Sequence, residues 1–142
     1  MTEEELFDRA MAARQHAYAR YSHFLVGAAI EDDSGAIHVG CNVENAAYPV
    51  GSCAETGAIS AMRVAGGKKI RRIAVVAGPV DAVATVFCAP CGACRQRIAE
   101  FADAHTQVLL RDDRGAVRRF DLSGLLPAAF GPDDVLPTSP LG

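Results

Sequence analysis

Cys53-Ala54-Glu55 and Pro90-Cys91-Gly92-Ala93-Cys94 are the two stretches around which the rest of the chain arranges itself. The first heads a helical pattern that runs to about Val64 and is stopped by Gly66 and Gly67. The second heads another helix, with Pro90 ahead of it and an end near Phe101. Between them lies Ile70 to Ala77, a nearly continuous apolar run of the kind that fills a buried central strand. One helix and one strand therefore separate the cysteine stretches, enough chain to travel along a sheet and come back to the same end. Both cysteine groups then stand at helix N-termini, where partial positive charge favours thiolates.

Working outward, Thr2 followed by Glu5 forms a capping-box pattern, and Leu6, Ala10, Ala13 and Ala17 recur at helical spacing, which predicts a helix over 3–19. Leu25 to Glu31 reads as a strand. Asp32-Asp33-Ser34-Gly35 is a turn, and Ala36 to Cys41 is a second strand, so the pair predicts a hairpin. Residues 42–52, with Pro49 and Gly51, are irregular. Gln107 to Arg111 and Ala116 to Phe120 read as two further strands, and the tail from Leu122 as a short helix followed by irregular chain. The order predicts an α/β fold with helices on both faces of a mixed sheet of about five strands, a three-layer α-β-α arrangement in one domain over 1–142.

The composition agrees with a folded domain. Half of the 142 residues are hydrophobic and 22% are charged, enough apolar material for a core without disulfide staples. The net charge is −3, and the densest basic stretch is only Lys68 to Arg72, which reads as a solvated lead into a strand. A nucleic-acid surface carries a clear basic excess, so a small substrate is expected rather than a polymer. No apolar run approaches the roughly 18 to 20 residues that span a bilayer. The first residues are acidic where a secretory signal would be basic and then apolar. A cytoplasmic protein is expected, whose five cysteines are metal ligands or buried thiols rather than disulfides.

The chemistry follows from ligand count. A Cys-x-x-Cys spacing lets two sulfurs converge on one ion, and Cys53 would supply a third. Four cysteines would close a structural zinc site; three leave a position open for water, the mark of a catalytic one. Zinc brings the pKa of such a water to roughly 7, but protons must still be moved. Glu55, two residues after a ligand and on the same helical turn, is placed to move them without binding the metal. Each piece has a plainer reading on its own: a buried thiol, a first-turn acid facing the helix dipole, a redox pair. Cys88 extends the spacing to Cys88-x-x-Cys91-x-x-Cys94, so another ligand set is conceivable. We read Cys88 and Cys41 as strand residues and the four histidines as surface or packing residues.

Zinc deaminases combine a ligand-x-Glu stretch with Pro-Cys-x-x-Cys, and the chain resembles the short-chain, three-cysteine branch of the cytidine deaminase family. The resemblance extends to Tyr21-Ser22-His23-Phe24-Leu25-Val26-Gly27-Ala28-Ala29, Asn42-Val43-Glu44-Asn45-Ala46-Ala47-Tyr48 and Leu125-Leu126-Pro127-Ala128-Ala129-Phe130-Gly131. It implies a zinc ion on Cys53, Cys91 and Cys94 and a proton-shuttling Glu55. It also implies ribose contacts from Asn42 and Glu44, a base-packing Phe24, and a backbone contact to the base at Ala54. Tyr48 would pack across a subunit boundary, and Phe130 would reach a neighbour's site in a homotetramer with shared active sites. The implied reaction is hydrolytic deamination of cytidine and deoxycytidine in pyrimidine salvage, with a pyrimidine nucleoside as the small-molecule partner.

Two positions depart from the pattern. Thr56 stands where many relatives carry Arg, so helix N-termini and Arg95 are expected to offset the thiolate charge. Arg20 stands where relatives often have Pro, with only a loop adjustment expected. Enzymes acting on a free base share the metal motif, but Asn42 and Glu44 speak for a sugar. A noncatalytic zinc module would have no use for Glu55.

Overall fold

The fold was obtained as a computed structural model that describes residues 1–81 and 86–136. Helix α1 (Glu3–Arg14) starts on the expected capping box: the Thr2 hydroxyl accepts from the Glu5 amide at 3.1 Å, and the Glu5 carboxylate accepts from the Thr2 amide at 2.8 Å. Strands β1 (Phe24–Asp32) and β2 (Ile37–Cys41) form the hairpin, followed by helix α2 (Ala54–Val64) and strand β3 (Ile70–Pro79). Then come helix α3 (Gly92–Glu100), strands β4 (Gln107–Arg111) and β5 (Val117–Phe120), and the short helix α4 (Leu122–Leu125). The five strands lie in the order β2-β1-β3-β4-β5, with β3 and β4 parallel and every other neighbouring pair antiparallel. The expected mixed sheet is therefore present.

The layers follow from period-two alternation along the strands. Ala29, Ala74, Val76 and Leu109 point to one face, where Leu6, Phe7 and Ala10 of α1 cover them. Ala28, Ile30, Ile73, Val75, Val108 and Leu110 point to the other, under Ala54, Ala58 and Met62 of α2 and Ile98 of α3. Two glycines let the helices sit close. A Cβ on Gly27 would fall 2.0 Å from the Ala10 carbonyl oxygen of α1, and one on Gly40 would fall 2.4 Å from both the Ala54 oxygen and the Ala58 nitrogen of α2.

One boundary differs from expectation. The first helix ends at Arg14 rather than at residue 19, because the chain beyond it is needed elsewhere. The Tyr18 amide donates to the Asn42 oxygen and the Tyr18 oxygen accepts from the Glu44 amide, both at 2.9 Å, drawing residues 18 and 43 into a parallel bridge. Arg14 itself turns inward and is buried. Its guanidinium donates to the carbonyls of Leu25 (3.1 Å), Gly78 (2.9 Å) and Pro79 (3.0 Å), clamping the start of β1 to the end of β3. The starts of β1, α2 and α3 and the ends of β2 and β3 thus gather at one end of the sheet. The opposite end is closed by Asp32, whose carboxylate meets the buried His38 ring at 2.7 Å and accepts from Ser34 and Ala36. No helix among the described residues is long and apolar enough to cross a membrane.

Candidate active site

Helices α2 and α3 begin on cysteines. Cys53 is the N-cap of α2 and Cys91 the N-cap of α3, both with extended backbone, and neither sulfur makes a regular capping hydrogen bond to its helix. Cys94 lies in the first turn of α3 and is fully buried. The three sulfurs all lie within 4.8 Å of one another. Zn–S bonds of about 2.3 Å in tetrahedral geometry set sulfurs about 3.8 Å apart, so the cluster has the dimensions and the soft donor chemistry of a zinc site with a fourth position for another ligand. Cys88 and Cys41 stand outside it, as do the histidines among the described residues.

The three thiols shift one another in opposite directions. Burial pushes Cys53 and Cys94 up. Burial also acts on Cys91, but the Cys94 amide and the Cys94 and Cys53 thiols outweigh it and hold Cys91 below its ordinary value. Proximity of the three groups favours a cation that can replace their protons.

Glu55, in the first turn of α2, is only 4% exposed. Burial raises its carboxyl above the usual range, opposed by its own backbone amide, by Cys94 and by the positive charge of Arg97. A carboxyl so placed can hold a proton nearer neutral pH and give it up again, which is what an acid–base group requires. The Thr56 hydroxyl beside it is buried and has no hydrogen-bond partner among the described residues.

Arg95 does not serve the thiolates as expected. Its guanidinium donates to the Pro90 and Leu125 carbonyls, each at 2.8 Å, tying the loop before Cys91 to α4. Next to it, the Gln96 amide donates to the Phe130 oxygen at 2.9 Å. The Cys91-Gly92-Ala93-Cys94-Arg95-Gln96 segment therefore brings two sulfurs to Cys53 and carries two polar side chains that moor the C-terminal segment.

The remaining expected residues have the following places in the fold. Ala54 opens α2 and is fully buried. Phe24 opens β1 and is half-buried. Asn42 brackets Phe24 from the facing strand: its side-chain oxygen accepts from the Val26 amide at 2.8 Å, and its side-chain nitrogen donates to the Phe24 carbonyl at 2.9 Å. Glu44 accepts from the amides of Tyr21 (2.9 Å) and Ser22 (3.1 Å) and from the Ser22 hydroxyl. Glu44, Tyr21, Ser22, Asn45, Tyr48 and Gly51 line an open cleft of about 350 Å³. Tyr48 stacks edge-on to Tyr21, with ring centroids 5.9 Å apart, and is 75% exposed. Phe130 is 60% exposed. Sequence reasoning gave no role to Arg14, whose partners are main-chain carbonyls, or to Ser22, whose partner Glu44 lies 22 residues away, and neither leaves a mark in residue spacing.

The comparisons with known proteins agree with this geometry. Residues 1–110 match the family model described as the cytidine and deoxycytidylate deaminase zinc-binding region. The chain is 40% identical over 138 residues to the cytidine deaminase of Sporosarcina psychrophila, covering 95% of this chain and 96% of that one. It is 39% identical over 135 residues to the cytidine deaminase of Halalkalibacterium halodurans, covering 95% and 98%. Among solved structures, the cytidine deaminase of Burkholderia pseudomallei superposes with a TM-score of 0.81 at 42% identity, covering 92% of this chain and all of that one.

Proposed function

The chain belongs to the cytidine and deoxycytidylate deaminase family, and from that premise we propose that it hydrolyses the exocyclic C–N bond of cytidine and deoxycytidine to give uridine or deoxyuridine and ammonia, in cytoplasmic pyrimidine salvage. The observation that carries the reading is the buried Glu55 carboxyl in the first turn of the helix that Cys53 opens, beside a cluster of three thiols.

Cys53, Cys91 and Cys94 hold zinc in this reading. Zinc bound there supplies a Lewis acid that makes a water nucleophilic near neutral pH. Glu55 does the proton work. Its carboxylate takes a proton from the attacking water and delivers it to N3 of the base, which draws electrons from C4. The carboxylate, free again, then takes the proton of the new hydroxyl on C4 and passes it to the amino nitrogen. The C4–O double bond forms as the C–N bond breaks and ammonia leaves, so Glu55 acts as base and acid in turn. The low-dielectric surroundings that raise its proton affinity suit both roles. Phe24 packs on the pyrimidine ring, the Ala54 backbone contacts the base, and Asn42 and Glu44 read the sugar. Tyr48 and Phe130, too exposed for aromatic side chains of a free monomer's interior, complete sites across boundaries in a homotetramer.

The test is loss of cytosine absorbance when zinc-loaded protein meets cytidine, with Glu55→Ala run beside it. Conversion by the wild type, and at least a thousandfold less by a variant that still holds one zinc per chain, is expected. A folded, zinc-loaded wild type without turnover on cytidine or deoxycytidine would overturn the reading.

A further inference from the structure

We propose that Ser22 is a positioning residue that aims the Glu44 carboxylate at the sugar edge of the substrate, and so sets how strongly the enzyme selects for a sugar that carries its 2′- and 3′-hydroxyls. The inference rests on the deaminase reading above and deepens it.

The Glu44 carboxylate is held unevenly. Oε1 accepts two main-chain donors, the amides of Tyr21 and Ser22, at 2.9 and 3.1 Å. Oε2 accepts a single donor, the Ser22 hydroxyl, at 2.5 Å. A carboxylate oxygen has two acceptor directions, so the Ser22 proton takes one of those on Oε2 and leaves the other for the cleft bounded by Tyr21, Asn45, Tyr48 and Gly51. A neutral hydroxyl donor fits that direction, and a nucleoside offers one on its sugar. The carboxylate stays charged through the working range, because the Ser22 hydroxyl above all, then the Ser22 amide, hold it below the usual carboxyl value.

The same hydroxyl has a second bond that fixes where its proton points. Ser22 Oγ accepts from the Phe24 amide at 3.1 Å. His23, between the two, adopts a left-handed φ of 57° and is held by its amide on the Ala19 oxygen and its oxygen on the Val80 amide, both 2.8 Å. That bend folds Phe24 back towards Ser22. With one bond accepted from Phe24, the single hydroxyl proton is directed to Oε2. Without it, Oε2 would lose its only donor, and the carboxylate could rotate about its Cγ–Cδ bond or take up water in place of the sugar.

The discriminating experiment compares two substrates, cytidine and 2′,3′-dideoxycytidine, with wild type, Ser22→Ala and Ser22→Thr. The wild type is expected to prefer cytidine. Ser22→Ala should lower kcat/KM for cytidine about tenfold, through KM, the usual scale for a bond to a charged group. It should leave the dideoxy analogue within about twofold, so that the preference collapses, and Ser22→Thr should restore it by returning a hydroxyl. Equal losses on both substrates would overturn the inference and make Ser22 a support of Phe24 or of the loop. An unchanged preference in Ser22→Ala, or a wild type that treats both substrates alike, would overturn it too while leaving the deaminase reading intact. A wild type inactive on both would sink the functional reading and this inference with it.

Discussion

Gly40→Ala should damage the active centre from the edge strand beneath α2, and Gly57→Ala, in the same interface, should not. A Cβ at Gly40 would stand 2.4 Å from the Ala54 oxygen and the Ala58 nitrogen, both main-chain atoms of α2. Ordinary contact is about 3.5 Å, so α2 must retreat by roughly 1 Å. Neither neighbour is a side-chain tip that could rotate away. Helix α2 carries Cys53 at its N-cap and Glu55 in its first turn, so the retreat displaces the proposed zinc ligand and the proposed proton carrier together. Overpacking of this kind costs about 1–3 kcal/mol, and a misplacement of ~1 Å at a reacting centre costs about a hundredfold in rate. A Cβ at Gly57, by contrast, would meet Gly40 and Cys41 atoms only at 3.6 to 3.9 Å. Helix propensity then favours alanine there by about 1 kcal/mol. Thermal melting and steady-state deamination of both variants, with zinc content measured, provide the assay. A Gly40→Ala protein with wild-type melting temperature and kcat would refute the claim that backbone contact at Gly40 sets the position of α2. A Gly57→Ala protein as damaged as Gly40→Ala would refute the geometric distinction.

Asp32 should make the fold acid-sensitive. Burial pushes its carboxyl up, but the His38 ring, Ser34 and Ala36 outweigh burial and hold it at about 2, against an ordinary 3.8. The unfolded chain therefore binds the proton first: the stabilisation is complete above about pH 5 and is lost as pH falls towards 2. The gap corresponds to about 2.4 kcal/mol at full strength, which solvent at the hairpin end reduces to ~1–2 kcal/mol. Urea unfolding at pH 6 and pH 3 should show a steeper loss in wild type than in Asp32→Asn, whereas equal losses would count against the pair. Arg95→Ala should weaken zinc binding about tenfold, the scale of losing an outer contact to a metal site, because Pro90 loses the donor that orients the loop before Cys91. Competition with a chromophoric chelator measures this, and an unaltered zinc affinity would leave Arg95 a tether of the C-terminal segment alone.

Much of this molecule is legible in its sequence because the decisive signals are local. The Thr2/Glu5 capping box, the apolar runs of β1 and β3, and the two cysteine-headed helices need only neighbours a few positions away. The end of α1 was less legible. Ala17 continues the helical spacing, yet the Tyr18 main chain is claimed by Asn42 and Glu44, more than twenty residues on. Asn42 shows the same limit at the site. Its type suggests a polar ligand, but only the folded chain reveals that both ends of its amide already serve Phe24 and Val26. Arg95 looked like a counter-charge for thiolates because it lies one residue from Cys94. Helical geometry instead sends its side chain to the carbonyls of Pro90 and Leu125. A buried cation such as Arg14, satisfied by three carbonyls, leaves no complementary acid in the sequence to announce it.

The cysteine N-caps bear on how this fold tolerates loss of its metal. Serine, threonine, aspartate or asparagine at such a position shields an otherwise bare amide and stabilises a helix by about 1 kcal/mol. Cys53 accepts from no amide of α2, and Cys91 offers α3 only the weak acceptance of a thiol sulfur from the Cys94 amide. The first turns of both helices are therefore weak points in the architecture, and they are the turns that carry Glu55 and Cys94. Chelation should first loosen these two turns, with faster amide exchange there, while the sheet and α1 stay protected. A lineage that abandoned catalysis would be free to replace Cys53 and Cys91 with serine and gain a sturdier protein, so the cysteines mark where reactivity has been kept at the expense of rigidity.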